Sequence, residues 1–377
     1  MNIFILDENY DLLGEIEAFS SFIWTRRYYE YGVFELHCAP RYFGMLSAGK
    51  YLYRNDRTDL AVIRSVTYKM NEQGRETFCA GALAECLLDL RVIDRPYKAN
   101  DTPEEISRGL IRKYFCEPVD ASRRRSDVLL GESKGIGTRT LKQVTGDPVG
   151  IACYEIEKTQ EMSHRLKYNF QNNKLTFEVW QGKDRRTSQD ENSWAVFSNE
   201  FRNVKTSEYS TDDSNYANVA YVAGEGEGDE RMVVEVDIRQ DPSEERRELY
   251  VDARDLQNQI QNEEPVIEGT LDLDPVYQYT DEEYAAILAQ RGLEKLAEHA
   301  LIENMTGTVI STENLEYLVD FDLGDYGTFK NEEIGIELDA RITEIIETYE
   351  NSVMSLDITF GQDSVTSIRK LIRQEAK

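Results

Sequence analysis

Acid–base, nucleophilic or metal chemistry in this chain would have to come from three histidines, five cysteines and seventy-one carboxylates. His37 and Cys38 are neighbours in a run that reads as a strand. Successive strand side chains point to opposite faces, so the two cannot form a nucleophile–base pair. His164 falls in polar sequence near a predicted helix end, and His299 stands beside Glu298 on a predicted long helix. The spacing of His299 and Glu303 puts both on one helical face, yet two ligands alone do not make a zinc site. With so many acids, carboxylate pairs of the glycosidase kind are inevitable and no particular pair stands out. No catalytic, cofactor-binding or metal residue is assigned, and no cofactor is expected.

Two other patterns invite a binding role. Gly224-Glu225-Gly226-Glu227-Gly228-Asp229 has the glycine density of a phosphate loop, but position 229 is Asp and no Lys-Ser/Thr follows. Its carboxylates would repel a phosphate, and the EF-hand order of acids for Ca²⁺ is absent. A hairpin turn is expected there. Arg123-Arg124-Arg125 with Lys134, Arg139 and Lys142, and separately Arg369-Lys370-Arg373, are basic islands. They read either as docking sites for an acidic neighbour, such as another copy of this chain, or as a solvated loop and a fraying C-terminal helix.

The islands matter because the chain carries a formal charge of −28. Duplex DNA is itself a dense line of negative charge, so a protein this acidic should repel it. A surface that DNA passes without sticking is compatible with that charge, and so is a protein simply kept soluble by it. An odd number of cysteines with no CxxC argues against a disulfide scaffold and for folding in a reducing cytoplasm. Met1 leads straight into a strand pattern, so no signal peptide is expected. No run approaches the ~18 apolar residues of a membrane helix.

The elements that would position these side chains are mostly strands. Asn2 to Leu6, Leu13 to Phe19, Phe22 to Glu30, Val33 to Cys38, Tyr51 to Arg54, Ala61 to Met70 and Glu76 to Cys79 are aromatic and β-branched runs, with a turn at Asn71 to Gly74. Leu83, Leu87 and Leu90 fall at helical spacing. Thr102-Pro103-Glu104-Glu105 opens a helix carrying Ile106, Leu110 and Tyr114, and Asp147-Pro148 opens another. Arg123 to Lys142 reads as a loop, and Asp241 to Leu271 as an irregular excursion. Strands Leu166 to Phe170 and Leu175 to Trp180 meet at Asn172-Asn173, and further strands are expected at Ala195 to Phe197, Asn218 to Ala223 and Met232 to Val236. Thr280-Asp281-Glu282-Glu283 caps a long helix with the stripe Tyr284, Ile287, Leu288, Leu296 and Ala300, weakened at Gly292. Ile336 to Ile342 and Met354 to Phe360 alternate as core-facing strands. Gly49-Lys50-Tyr51 followed by Ile63, Val66 and Tyr68 echoes Gly324-Asp325-Tyr326 followed by Ile342, Ile345 and Tyr349, through either a repeat or chance. These readings divide the chain into 1–98, a first β unit; 99–200, an α+β middle; 201–275, β and irregular; and 276–377, a helix and a second β unit.

Taken in order, Gly14-Glu15-Ile16, Trp24, Tyr31-Gly32-Val33-Phe34-Glu35-Leu36, Phe177-Glu178-Val179-Trp180-Gln181-Gly182-Lys183, Tyr216-Ala217-Asn218-Val219-Ala220-Tyr221-Val222-Ala223-Gly224, Arg246-Arg247-Glu248, Leu323-Gly324-Asp325 and Ile358-Thr359-Phe360-Gly361 resemble a family of siphophage tail-hub proteins. The resemblance spans nearly the whole chain. It implies an α+β, β-rich fold with two β-barrel-like hub domains, similar to the baseplate hubs of contractile-tailed phages. It also implies a homotrimeric ring of pseudo-sixfold symmetry at the virion's tail tip, assembled in the bacterial cytoplasm. Its implied partners are the tail tube, a distal tail protein ring, the tape measure protein and a tail fibre or receptor-binding protein, with DNA passing through unbound. Proteins of this kind often continue into a peptidoglycan-degrading or fibre-like region. This chain stops soon after Gly361, so a non-enzyme is expected. The alternatives are a cell-wall hydrolase and a receptor- or carbohydrate-binding module, for which the twenty-two tyrosines and the tryptophans are suited.

Overall fold

The computed structural model describes residues 1–72, 74–261, 276–311, 315–350 and 353–361. The Arg369-Lys370-Arg373 island and the last part of the 241–271 excursion lie outside them. Most strands join one sheet of thirteen. Within it, Phe19–Arg27, Val33–Cys38, Gly74–Leu83, Leu60–Asn71 and Tyr51–Arg54 lie side by side in that order, all antiparallel. Val204–Asp212, Ile302–Val309, Val353–Gly361, Ile336–Glu350 and Tyr326–Asn331 form a second run of the same kind.

The two runs match residue by residue. In the first, Phe19 faces Cys38 and the register then slips so that Ser21 faces His37; in the second, Val204 faces Val309 and Thr206 faces Thr308. Ile63 faces Gly81 and Ser65 faces Ala80, just as Ile342 faces Phe360 and Glu344 faces Thr359. Gly49 N–H donates to Ile63 O and Ile63 N–H to Lys50 O, both at 2.8 Å; Gly324 and Ile342 N–H donate to Ile342 O and Asp325 O at the same distance. Both glycines have positive φ, +88° and +82°, a conformation that a side chain would strain. The echo in the sequence is a structural repeat with its bulges in place. Tyr349 stands at the position of Met70, however, and Glu347 at that of Tyr68.

One strand fuses the repeats. The first part of the fifteen-residue strand Ile336–Glu350 pairs with Tyr326–Asn331. Past its bulge it pairs with Val353–Gly361 on one side and with Phe19–Arg27 on the other. The fold is α+β and β-rich as expected. No sheet among the described residues closes into a barrel, because this strand hands the first repeat on to the second instead of closing either.

Three helices pack around smaller sheets. Thr102 caps α1 (Pro103–Ile111) through Glu105 N–H, and α2 spans Val149–Lys158. Thr280 and Glu283 form the expected capping box of α3 (Asp281–Glu298). This helix stops at Glu298 with His299 as its C-cap, so Ala300 lies beyond the stripe and Glu303 belongs to the next strand. Residues 84–90 are a 3₁₀ helix. The loop expected over 123–142 contains strands Val128–Leu130 and Thr140–Val144. The excursion contains Glu248–Asp252, parallel to Val219–Ala223. Val204–Asp212, too polar for a strand signal, pairs on one side only among the described residues.

Gly292 is explained by packing. A Cβ there would lie 2.7 Å from Val236 Cγ2 and 2.9 Å from Val222 Cγ2, against the sheet under α3. Intrinsic propensity favours Ala over Gly in a helix by about 1 kcal/mol. Overpacking of this kind costs about 1–3 kcal/mol. Gly292→Ala is therefore expected to lower stability, opposite in sign to helix propensity, as a reduced urea midpoint.

Candidate interaction surfaces

The three histidines are brought to three separate places. His37 Nδ1 lies 3.1 Å from Glu76 Oε2, and Cys38 is buried on the opposite face of the strand. His164 Nδ1 sits 2.8 Å from Glu157 Oε2, both side chains fully buried, with the Tyr154 ring 3.9 Å away. His299 Nδ1 meets Asn215 O at 2.9 Å, while Glu303 accepts from Tyr209 OH. The shared helical face expected for His299 and Glu303 does not exist, since the helix has ended between them. Among the described residues no cluster of His, Cys, Asp and Glu has the arrangement of a metal site. The glycine-rich segment is a hairpin turn in which Arg231 donates to Gly224 O (2.8 Å) and Glu225 N–H donates to the Tyr284 hydroxyl oxygen (2.7 Å).

The basic island does not act as a unit. Lys142 is buried, its Nζ 2.6 Å from both carboxylate oxygens of Glu294 on α3. Arg123 pairs with Asp94 and Arg125 with Asp127. Arg139 reaches only Asn100 O. Lys134 lines a cleft of about 280 Å³ together with Arg165, Trp180, Arg185, Val319 and Asp325. Arg165 covers the Trp180 ring at 4.6 Å, and Tyr28 meets it edge-on at 5.0 Å. The Trp180 ring is thus covered by its own neighbours. Arg185 Nε is held by Asp325 at 2.8 Å.

The seam between the repeats is the most charged buried region. Glu347 is completely buried and accepts from Arg54 Nη1 (2.9 Å), Arg57 Nη2 (3.0 Å), Tyr317 OH (2.8 Å) and Tyr349 OH (2.7 Å). Arg54, also completely buried, contacts Asp56 at 2.9 Å and lies 5.4 Å from the Trp24 ring centroid. Arg26 reaches Asp322 at 2.6 Å, and Arg27 reaches Glu344 at 2.6 Å across the strand pair. Burial pushes the Glu347 carboxyl up, but Arg54, Arg57 and the Tyr349 hydroxyl outweigh it and hold it at about 2. None of this was visible as a site in sequence, because its members lie far apart along the chain. The only signals were an Arg in an apolar strand (Tyr51–Arg54) and a Glu in an alternating one.

Outside the seam, two of the strand edges left open among the described residues belong to the two repeats. Past its bulge, Leu60–Asn71 pairs among the described residues only with Gly74–Leu83, so residues 65–71 have one edge without a described strand. Val204–Asp212 has one edge with no strand beside it among the described residues. Open edges of this length are where other chains add strands.

The family model for Siphovirus ReqiPepy6 Gp37-like protein matches residues 2–362. The fold is similar to that of the 43 kDa tail protein of prophage MuSo2 from Shewanella oneidensis. That match has 11% identity and a TM-score of 0.56, covering 96% of this chain and 98% of that one. It is similar to a prophage tail protein from Listeria monocytogenes EGD-e at 13% identity, covering 99% of each chain, TM-score 0.54. A tail protein from Neisseria meningitidis MC58 matches at 12% identity, covering 97% and 96%, TM-score 0.53. Identities this low speak to the fold alone. No curated protein matches the chain. Among the described residues no helix is long and apolar enough to cross a membrane.

Removing the Glu347 charge would leave Arg54 and Arg57 without their buried counter-ion. Glu347→Gln is expected to destabilise the fold by roughly 3–5 kcal/mol in urea titrations. The folded pKa of Glu347 is depressed, so its contribution is complete above the unfolded carboxyl range of about 4.3 and is lost as pH falls toward 2. Between about pH 5 and 2 the variant should lose less stability than the parent.

Proposed function

The chain belongs to the Siphovirus ReqiPepy6 Gp37-like protein family, and from that premise we propose that it is a structural, non-enzymatic hub of a siphophage or prophage tail tip. Three copies close into a ring that joins the tail tube to the distal tip. The internal repeat carries this reading: two like sheet units per chain give a trimer six similar units around one axis, which suits a sixfold tube. On this reading residues 1–98 and 276–377 supply the two hub domains, the second completed by strand Val204–Asp212 from the intervening stretch.

The charge gives the bore its property. An acidic wall repels the duplex, so tape measure protein and DNA pass without adsorbing. The neighbours in the virion are the tube, the distal tail protein ring, the tape measure protein and a fibre or receptor-binding protein, with assembly in the host cytoplasm. A carbohydrate-binding role gains nothing from Trp180, whose ring is already covered.

Native mass measurement tests the reading. The expected species is a trimer of 43.5 kDa chains. The trimer should show no retention on duplex DNA even at low salt and no clearing in a peptidoglycan zymogram. A monomer at every accessible concentration, or tight DNA binding, would overturn it.

A further inference from the structure

The seam inside the chain is a template for a second one. Where the repeats meet, Glu344 faces Arg27, Glu347 faces Trp24, Tyr349 faces Phe22 and Glu350 faces Ser21. That seam joins the far half of one repeat's long strand to the first strand of the other repeat. The equivalent far half in the first repeat is Ser65–Asn71, and the equivalent first strand in the second repeat is Val204–Asp212. Within the chain these two never meet: each has an edge without a strand among the described residues.

Their side chains carry the mark of a missing neighbour. Phe22, Trp24 and Glu347 in the formed seam are completely buried. At the matching places in the open edges, Tyr68 is 43% exposed, Ser207 is exposed and Tyr209 is half-buried. Residues 205–208 are exposed throughout. In the second half of Leu60–Asn71 only Val66 packs on the core, while Tyr68 meets the Phe43 ring at 6.0 Å and Lys69 lies 3.8 Å from Glu76, so the half-exposed edge invites pairing.

We propose that Val204–Asp212 of one copy adds antiparallel to the open edge of Ser65–Asn71 in the next. The register is that of the internal seam. Carried across the repeat, it sets Ser65 opposite the neighbour's Asp212, Thr67 opposite its Ser210, Tyr68 opposite its Tyr209, Lys69 opposite its Glu208 and Met70 opposite its Ser207. Directly opposed residues in an antiparallel pair share a face, so each of these is a side-chain contact. Lys69 against Glu208 is an attractive pair in a chain whose copies otherwise repel at −28 each. Tyr68 against Tyr209 is an aromatic pair, and the small Ser207 leaves room for Met70. The bulges at Ile63/Ser65 and Val204/Thr206 bound the pairing as those at Ile342/Glu344 and Phe19/Ser21 bound the internal one. The contact is head-to-tail, which closes into a ring when the rotation permits. This pairing rests on the ring reading above and names the surface that makes it.

Two measurements on the full chain test the pairing. Thr67→Cys with Ser210→Cys, oxidised, should give a covalent ladder ending at three chains, while each single variant gives none. Lys69→Glu and Glu208→Lys should each weaken the trimer by about tenfold, and the two combined should restore it. Both positions are exposed, and an unchanged thermal midpoint of the dissociated chain separates lost assembly from lost folding. A trimer by native mass with no 67–210 cross-link and no charge-swap rescue overturns this pairing and leaves the ring standing. A chain that never associates overturns both.

Discussion

A single carboxylate, Glu347, sits where the two halves of this protein meet, and the arrangement of both halves depends on it. Its two oxygens take hydrogen bonds from Arg54, Arg57, Tyr317 and Tyr349. Ion pairs this deep stabilise less than their geometry suggests, because desolvating each charge costs several kcal/mol. Their effect is on specificity. A slip of one residue between Phe19–Arg27 and Ile336–Glu350 would turn Glu347 away from Arg54 and strand three charges without water. The seam can form in one register or not at all.

The repeats share a backbone and differ in their chemistry. The same strand pairings, bulges and positive-φ glycine recur, yet Glu347 has Tyr68 as its counterpart and Arg54 has Phe329. The internal seam is ionic, and its copy at the open edges is aromatic and polar. That difference prevents the two edges from being confused. Ser65–Asn71 lacks the carboxylate that Arg54 and Arg57 require, so it cannot substitute for Ile336–Glu350 against the first strand of its own repeat.

Much of this was legible in the chain itself where the signal is local. Thr102-Pro103-Glu104-Glu105 and Thr280-Asp281-Glu282-Glu283 announce helices because capping is decided within four residues. Alternation located Leu356 to Phe360 because one face is buried, whereas Met354, expected on that face, is 41% exposed. The glycine-tyrosine echo was readable because tight turns demand glycine in both repeats. What could not be read depends on partners distant in sequence. Val204–Asp212 is a strand only because Ile302–Val309 lies beside it, and its Lys, Thr, Ser and Glu residues carry no β pattern. Lys142 belonged to a basic island in sequence and to a buried pair in space, since Glu294 arrives from a helix far along the chain. α3 ends earlier than the sequence pattern suggests, since Ala300 continues the apolar period while His299 already leaves helical geometry.

The acidity of the chain then has a structural consequence. Several buried cations meet carboxylates in matched sets: Arg54 and Arg57 with Glu347 and Asp56, Lys142 with Glu294, Arg185 with Asp325. The excess negative charge is therefore carried largely by the surface. Copies of such a protein repel over a Debye length of about 8 Å at physiological salt. Cohesion between them has to come from short-range terms that act inside that distance: strand hydrogen bonding, apolar burial and local reversals of sign. Strand edges supply the first of these without regard to charge. A sheet-built hub can for that reason be both strongly acidic toward what passes it and adhesive toward its own kind.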